Sequence, residues 1–486
     1  MPEPELPSTR TRRLMTNSAK VLASQILVRV LSVVALVLVA NRVEAKTYGL
    51  YNSALILAGN WSVLAQFGLR VPLLRAMARY PERSRDILAQ VLLLRVLFAV
   101  ATVGLAGAYG LLEFHGGRER AIYGLLLLAS VASSLSLTYE EALQSRDSFG
   151  RAAWVTLLNG LAVNAGMITG ALLGRPIAWA VGSQCVGALL SFVLLARYCA
   201  REFGARPLRL FWDRPLAGEL VKLAAGAAVT MFIGVWFGRA DLLMARAFLS
   251  DTAVGQYSVP LRALDMALAA TMVFAVTAQP LLSRSAAADD GSHYRQAATM
   301  LRVGALVFVP ACIVVGDLAF VLLKVFRPEY QNGAEALGVL FWVTLWTYYG
   351  AIIHHLLFLA NRGWSVAACL LCGLITSLAV GLYAVPRWGI TGAAAARLSG
   401  EMAVCAASVI ALRQLTRMGW TTIVLKPAGM GLAMAAVWML WPYGPWYWRS
   451  PASLAVYAVL AFLVQPLSRD EWQAIRGALS RRSVVS

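Results

Sequence analysis

Arg29, Arg95, Arg239, Arg262 and Arg397 each interrupt an apolar run long enough to cross a membrane. A cation at mid-bilayer depth costs about 2.5–3.5 kcal/mol on insertion scales, so such a residue faces water or a partner and marks a candidate site. The guanidinium group is planar, stays charged and can grip phosphate through two parallel hydrogen bonds. Five of them suggest an anionic passenger, with an ion pair between helices as the plainer use of each. Their neighbours separate them. The run 21–40 around Arg29 contains no carboxylate. Arg262 has Asp265 three residues on and Arg397 has Glu401 one turn on, spacings that put each pair on one helix face. Asp241, two residues from Arg239, points elsewhere and could reach another arginine. Arg95 lies about two turns from the predicted inner end of its span, where its stem can snorkel to the headgroups. Glu140 and Glu141, at the inner end of the next span, read as solvated.

Asp241, Asp265 and His354 are the groups that could couple transport to protons or sodium, because intramembrane carboxylates commonly form ion sites and histidine titrates near neutrality. His355, beside His354, reads with it as a packed or interfacial side chain. The six cysteines, including the Cys369-x-x-Cys372 spacing, read as core packing, so no metal or cofactor is expected. Trp441, Tyr443, Trp446, Tyr447 and Trp448 read as an interfacial belt, with sugar stacking as the sharper alternative.

What must position these residues is a set of membrane helices. The 486 residues are 59% hydrophobic and 14% charged, against about 25% charged in a soluble domain. A net charge of +19 would suggest nucleic acid in a soluble protein; here the basic residues mark cytoplasmic loops, and no nucleic-acid partner is expected. Residues 1–20 are polar and carry Arg10, Arg12, Arg13 and Lys20, which reads as a cytoplasmic tail, not a removable signal. Fourteen spans follow: 21–40, 48–68, 87–110, 121–143, 152–173, 178–196, 221–245, 254–281, 302–323, 335–358, 365–385, 391–411, 427–441 and 452–467. With the N-terminus inside, the cytoplasmic segments, counted with Lys222 and Arg302 at the inner span edges, hold 28 Lys and Arg residues and the outside loops 10. That bias places both termini in the cytoplasm.

The fold class is therefore an all-α polytopic membrane protein. The chain also repeats itself: Gly49-Leu50-Tyr51 opens the second span and Gly255-Gln256-Tyr257 the eighth. An offset of six spans preserves orientation and predicts parallel repeats. The predicted lobes are 21–196 and 221–412, joined by a basic cytoplasmic linker at 197–220. Two further helices lie in 413–468, ahead of a cytoplasmic tail at 469–486. Every outside loop is about a dozen residues or shorter, and no Gly-x-x-x-x-Gly-Lys-Ser/Thr phosphate loop occurs. Those features argue against an enzyme.

Four stretches carry a family resemblance. Asn41–Ala54 resembles the entry to the second helix of bacterial polysaccharide flippases of the O-antigen type. Asp241–Ser250 with Val254–Tyr257 resembles their seventh and eighth helices, Phe326–Ala334 the loop before the tenth, and Pro386–Ala394 the loop entering the twelfth. These flippases belong to the multidrug/oligosaccharidyl-lipid/polysaccharide exporter superfamily. The resemblance implies two lobes around a central cavity, alternating access, and location in the bacterial cytoplasmic membrane. It also implies an undecaprenyl-pyrophosphate-linked oligosaccharide as passenger, with membrane lipids and a polysaccharide polymerase as partners. Two other readings share these features in part. A multidrug antiporter of the same fold would favour carboxylates over arginine in the first span, and a membrane polymerase or ligase would need a larger outside loop.

Overall fold

A computed structural model describes residues 27–146, 148–204, 212–286, 291–416, 419, 421–440 and 446–464. The two terminal tails, residues 205–211 of the basic linker, and Trp441 and Tyr443 of the aromatic belt lie outside the described residues.

Apolar runs become helices because a membrane offers no water to satisfy backbone polar groups. Helix α1 occupies 27–42. It is followed by α2 (Ala45–Gln66), α3 (Arg70–Arg79), α4 (Ser84–Glu113), α5 (Gly117–Ser145), α6 (Phe149–Leu172), α7 (Pro176–Phe203) and α8 (Arg214–Phe237). Then come α9 (Ala240–Phe248), α10 (Asp251–Ala286), α11 (Ser292–Leu323), α12 (Ala334–Phe341), α13 (Val343–Leu359), α14 (Gly363–Arg413), α15 (Lys426–Leu440) and α16 (Trp446–Val464). Among the described residues, 11 helical segments are long and apolar enough to cross a membrane. The long α14 is two spans, because Gly389 leaves the helical region at φ 57°, ψ −132°. With α1 and the shorter α15 added, the fourteen expected spans are all accounted for.

The chain divides into two compact units, Met1–Trp236 and Phe237–Ser486. In the first, Leu69, Leu73, Leu88, Val91, Tyr139 and Leu143 form a buried core with Leu195, Leu220 and Ala224. That core includes residues of α8, so the boundary falls inside the seventh predicted span and not at the basic linker. The chain between α2 and α3 turns through left-handed Phe67 (φ 46°) and Gly68 (φ 60°). A side chain at Gly68 would come within 2.7 Å of the Ala228 backbone nitrogen, so glycine is required twice over.

In the second unit the two halves of α14 fold back on each other. Cβ atoms built on Gly373 and Gly400 would come 2.9 Å and 3.0 Å from each other's carbonyl oxygens. Small residues at such crossings supply the packing that the hydrophobic effect cannot provide within lipid. A second core joins Leu301, Val309, Ile352, Ile353, Leu356, Leu412 and Met430. The Asp317 side chain of α11 is fully buried and is held by Arg449 and Ser450 of α16, which ties the C-terminal helix to this core. Of the CxxC pair, Cys369 is buried but Cys372 is exposed, so only the first packs as expected.

Candidate functional site

The seventh apolar run does not continue through Arg239. Gly238 and Arg239 form a turn between α8 and α9, where Arg239 takes φ −136°, ψ 11°. Glycine is a poor helix former, and an interrupted helix in a membrane persists only where its freed backbone groups find partners. Arg397 supplies one: its Nη1 donates to the Phe237 carbonyl at 2.8 Å. The same guanidinium lies over the Phe237 ring, 4.9 Å from its centroid. Its Nη2 donates to Glu401 Oε1 at 2.8 Å, so the intrahelical pair expected from spacing forms, and both side chains are buried.

Two further carboxylates lie around this break. Asp241, in the first turn of α9, is 0% exposed. It was expected to reach an arginine, but Tyr257 of α10 donates its hydroxyl to Oδ2 at 2.5 Å. The other oxygen, Oδ1, has no hydrogen-bond partner among the described residues. Asp265, placed by spacing on one helix face with Arg262, meets Arg239, with Nη2 to Oδ1 at 2.9 Å. The turn at Gly238 explains this, because it swings Arg239 out of the register a continuous helix would give it. Both partners of that pair remain about one-quarter exposed. Arg262 is half-buried on α10 and is itself engaged. Glu401 lies within electrostatic reach of Asp241, and Tyr257 within reach of Arg397 and Arg239. Three carboxylates, two arginines and a tyrosine thus gather around one helix break.

His354 is near none of these recorded pairs. Its Nε2 and the Ser408 hydroxyl share a hydrogen bond of 2.9 Å between α13 and α14. His355 shares one of 3.2 Å with Ser283.

In the first unit, Arg95 does not snorkel. It is 1% exposed, and it donates to Thr138 Oγ1 and Glu141 Oε2, each at 2.8 Å. Thr138 and Glu141 are one turn apart on α5 and form a fork for the guanidinium. Glu141 is therefore buried, not solvated, and Glu140 is half-buried, accepting from Gln144 at 3.2 Å. Arg29 differs from the other four. It is half-buried on α1 and makes no hydrogen bond or ion pair among the described residues.

The sequence reading missed the role of Tyr257, although the repeat singled out that residue, and it missed Asp317. Neither had a signal in local spacing, since both partners lie on other helices.

Residues 14–286 match the model of a family described as polysaccharide biosynthesis protein. The chain belongs to this family. A search of curated proteins returns no significant match to the sequence. Among solved structures, the fold is similar to the lipid II flippase MurJ in an inward closed conformation, with TM-score 0.71 and 14% identity over 92% of this chain and 98% of that one. It is also similar to an inward-facing multidrug resistance MATE transporter of the MOP superfamily, with TM-score 0.64 and 12% identity over 79% and 93%. A third similar fold is a MOP superfamily transporter from Pyrococcus furiosus whose binding pocket is described as reversed in polarity. It aligns with TM-score 0.55 and 11% identity over 81% of this chain and 92% of that one. As a member of the polysaccharide biosynthesis protein family with this fold, the chain is an all-α, multi-pass membrane protein.

Proposed function

We propose that the protein flips an undecaprenyl-pyrophosphate-linked oligosaccharide from the cytoplasmic to the outer leaflet of the bacterial cytoplasmic membrane. The product feeds assembly of a cell-surface polysaccharide such as O-antigen, capsule or exopolysaccharide. Both termini lie in the cytoplasm, a polymerase consumes the product, and transport proceeds by alternating access of the two predicted lobes.

The observation that carries this reading is Arg29, a half-buried arginine in a membrane helix with no partner among the described residues. A guanidinium in that position replaces the hydration that a pyrophosphate loses on leaving water. Within the second unit, Arg239 is the candidate anion contact, since its pair with Asp265 is one-quarter exposed and can exchange carboxylate for phosphate. Arg262 supports it from α10. Arg95 and Arg397 hold helices together and act on the passenger only through that packing. Coupling to protons or sodium, if transport uses it, falls to Asp241, whose Oδ1 is an open acceptor, with Asp265 beside it.

The test is flipping of a fluorescent undecaprenyl-pyrophosphate glycan in proteoliposomes. Transport of that lipid that needs Arg29 supports the proposal. Export of organic cations without lipid flipping would favour the multidrug antiporter.

A further inference from the structure

The first unit contains a second polar feature that the arginines do not explain. A cavity of about 340 Å3 lies among α2, α5, α6 and α7. That volume is at the lower end of small-molecule sites, roughly 300–1,000 Å3. Along α5 it extends from Leu126 to Glu140, about 21 Å of helix at 1.5 Å per residue. Its walls are crowded with hydroxyl and amide groups, including Ser62, Ser130, Ser133, Asn159, Gln184 and Ser191. No lysine or arginine lines it, and its one charged group, Glu140, already accepts from Gln144 at one end.

Hydrogen bonding divides these groups into two sets. Ser62 donates to the Gly59 carbonyl at 2.7 Å, so only its lone pairs are offered to the cavity. Ser130, Ser133, Gln184 and Ser191 make no side-chain hydrogen bond among the described residues. The Asn159 carbonyl oxygen is buried without a partner among the described residues. It is wedged where a side chain on Gly187 would come within 2.3 Å, so α7 helps fix the amide. Serine alone is common at helix crossings. Three carboxamides, Gln66, Asn159 and Gln184, and three hydroxyls without a hydrogen bond among the described residues are more than a crossing needs.

We infer that this cavity binds an uncharged, hydroxyl-rich ligand, the sugar portion of the passenger, at a place separate from the cationic groups. A sugar hydroxyl both donates and accepts, which matches walls that offer free O–H and N–H donors next to back-bonded hydroxyl acceptors. The absence of cations from the walls excludes the pyrophosphate. The inference rests on the proposal that the passenger is a lipid-linked glycan.

The test uses the full chain in nanodiscs and two probes. One is the free reducing oligosaccharide released by mild acid from the producing cell's lipid-linked pool. The other is undecaprenyl pyrophosphate without sugar. The wild type should bind both. Ser133→Ala should weaken the free glycan about 3- to 10-fold and Asn159→Leu at least about 10-fold, with undecaprenyl pyrophosphate affinity unchanged. Ser133→Ala keeps the packing, so it remains informative if Asn159→Leu lowers the melting temperature. Binding of undecaprenyl pyrophosphate without binding of the free glycan, or glycan affinity unmoved by both variants, overturns the sugar site and leaves the flippase standing. Failure of the wild type to bind either probe removes the flippase reading itself.

Discussion

Glu141→Gln separates the arginines that hold the protein together from those that serve the passenger. Arg95 is 1% exposed and the Glu141 side chain 9%, so neither charge is screened by water. Each of the two hydrogen bonds that fix the guanidinium, to Glu141 and to Thr138, is 2.8 Å long. The Arg95 Nε is already unpartnered among the described residues. Glutamine keeps the shape and one acceptor oxygen but removes the compensating charge. Breaking one side of a buried pair costs about 3–5 kcal/mol; the retained acceptor places this substitution near the lower figure. At about 1.4 kcal/mol per decade, that is roughly a hundredfold loss in the folded-to-unfolded ratio. Adding Arg95→Gln removes the orphaned cation and should restore at least about half of the loss, because replacing both members of a buried pair is far less costly than replacing one. The assay is unfolding in detergent micelles as a double-mutant cycle, with flipping measured per folded molecule. The double variant should flip lipid at the wild-type rate once folded. A Glu141→Gln protein as stable as wild type would refute the lock. A stable double variant that cannot flip would return Arg95 to the binding site.

Three other outcomes follow from the same structure. Gly68→Ala forces a left-handed backbone worth about 1–2 kcal/mol onto alanine and drives its Cβ within 2.7 Å of the Ala228 nitrogen, so melting should show a loss above about 2 kcal/mol. Tyr257→Phe leaves both oxygens of buried Asp241 without a donor among the described residues and should cost about 1–3 kcal/mol, whereas Asp241→Asn should be milder; if Asp241 couples an ion, the asparagine variant also loses any pH or sodium dependence of flipping. Arg449→Met strands the carboxylate of Asp317 with only Ser450 and should loosen α16 by about 3 kcal/mol, seen as faster proteolysis of the C-terminal helix.

The spans were legible because lipid imposes one rule on every segment, and a run of some twenty apolar residues obeys it as a helix. The break between the eleventh and twelfth spans was legible as well, since Pro386 and Gly389 punctuate it. The turn at Gly238 was not. A single glycine inside an apolar run is usually carried within a helix, and here the partner that makes the interruption tolerable, Arg397, lies 160 residues away from Phe237 in sequence. The same limit governed the charges. Arg397 and Glu401 pair within one helix, so spacing alone found them. Arg95 and Glu141 are 46 residues apart, and nothing local to either announces the other. Asp265 shows what the local rule leaves out: spacing along the helix points to Arg262 and cannot announce Arg239, which pairs with Asp265 once the chain turns. The hydroxyl-lined cavity was invisible for a different reason. Serines along a membrane helix look alike whether they pack or line a space, and only the packing of four helices distinguishes the two.

The central claim is that Arg29, a cation on the first helix with no partner among the described residues, receives an anionic lipid head. Flipping by proteoliposomes carrying Arg29→Ala, Arg29→Lys or wild-type protein at equal folded density tests it most directly. The account predicts that alanine abolishes most transport, that lysine keeps a part of it by charge alone without the paired hydrogen bonds, and that both variants melt at the wild-type temperature. Wild-type flipping by the folded Arg29→Ala protein would contradict it.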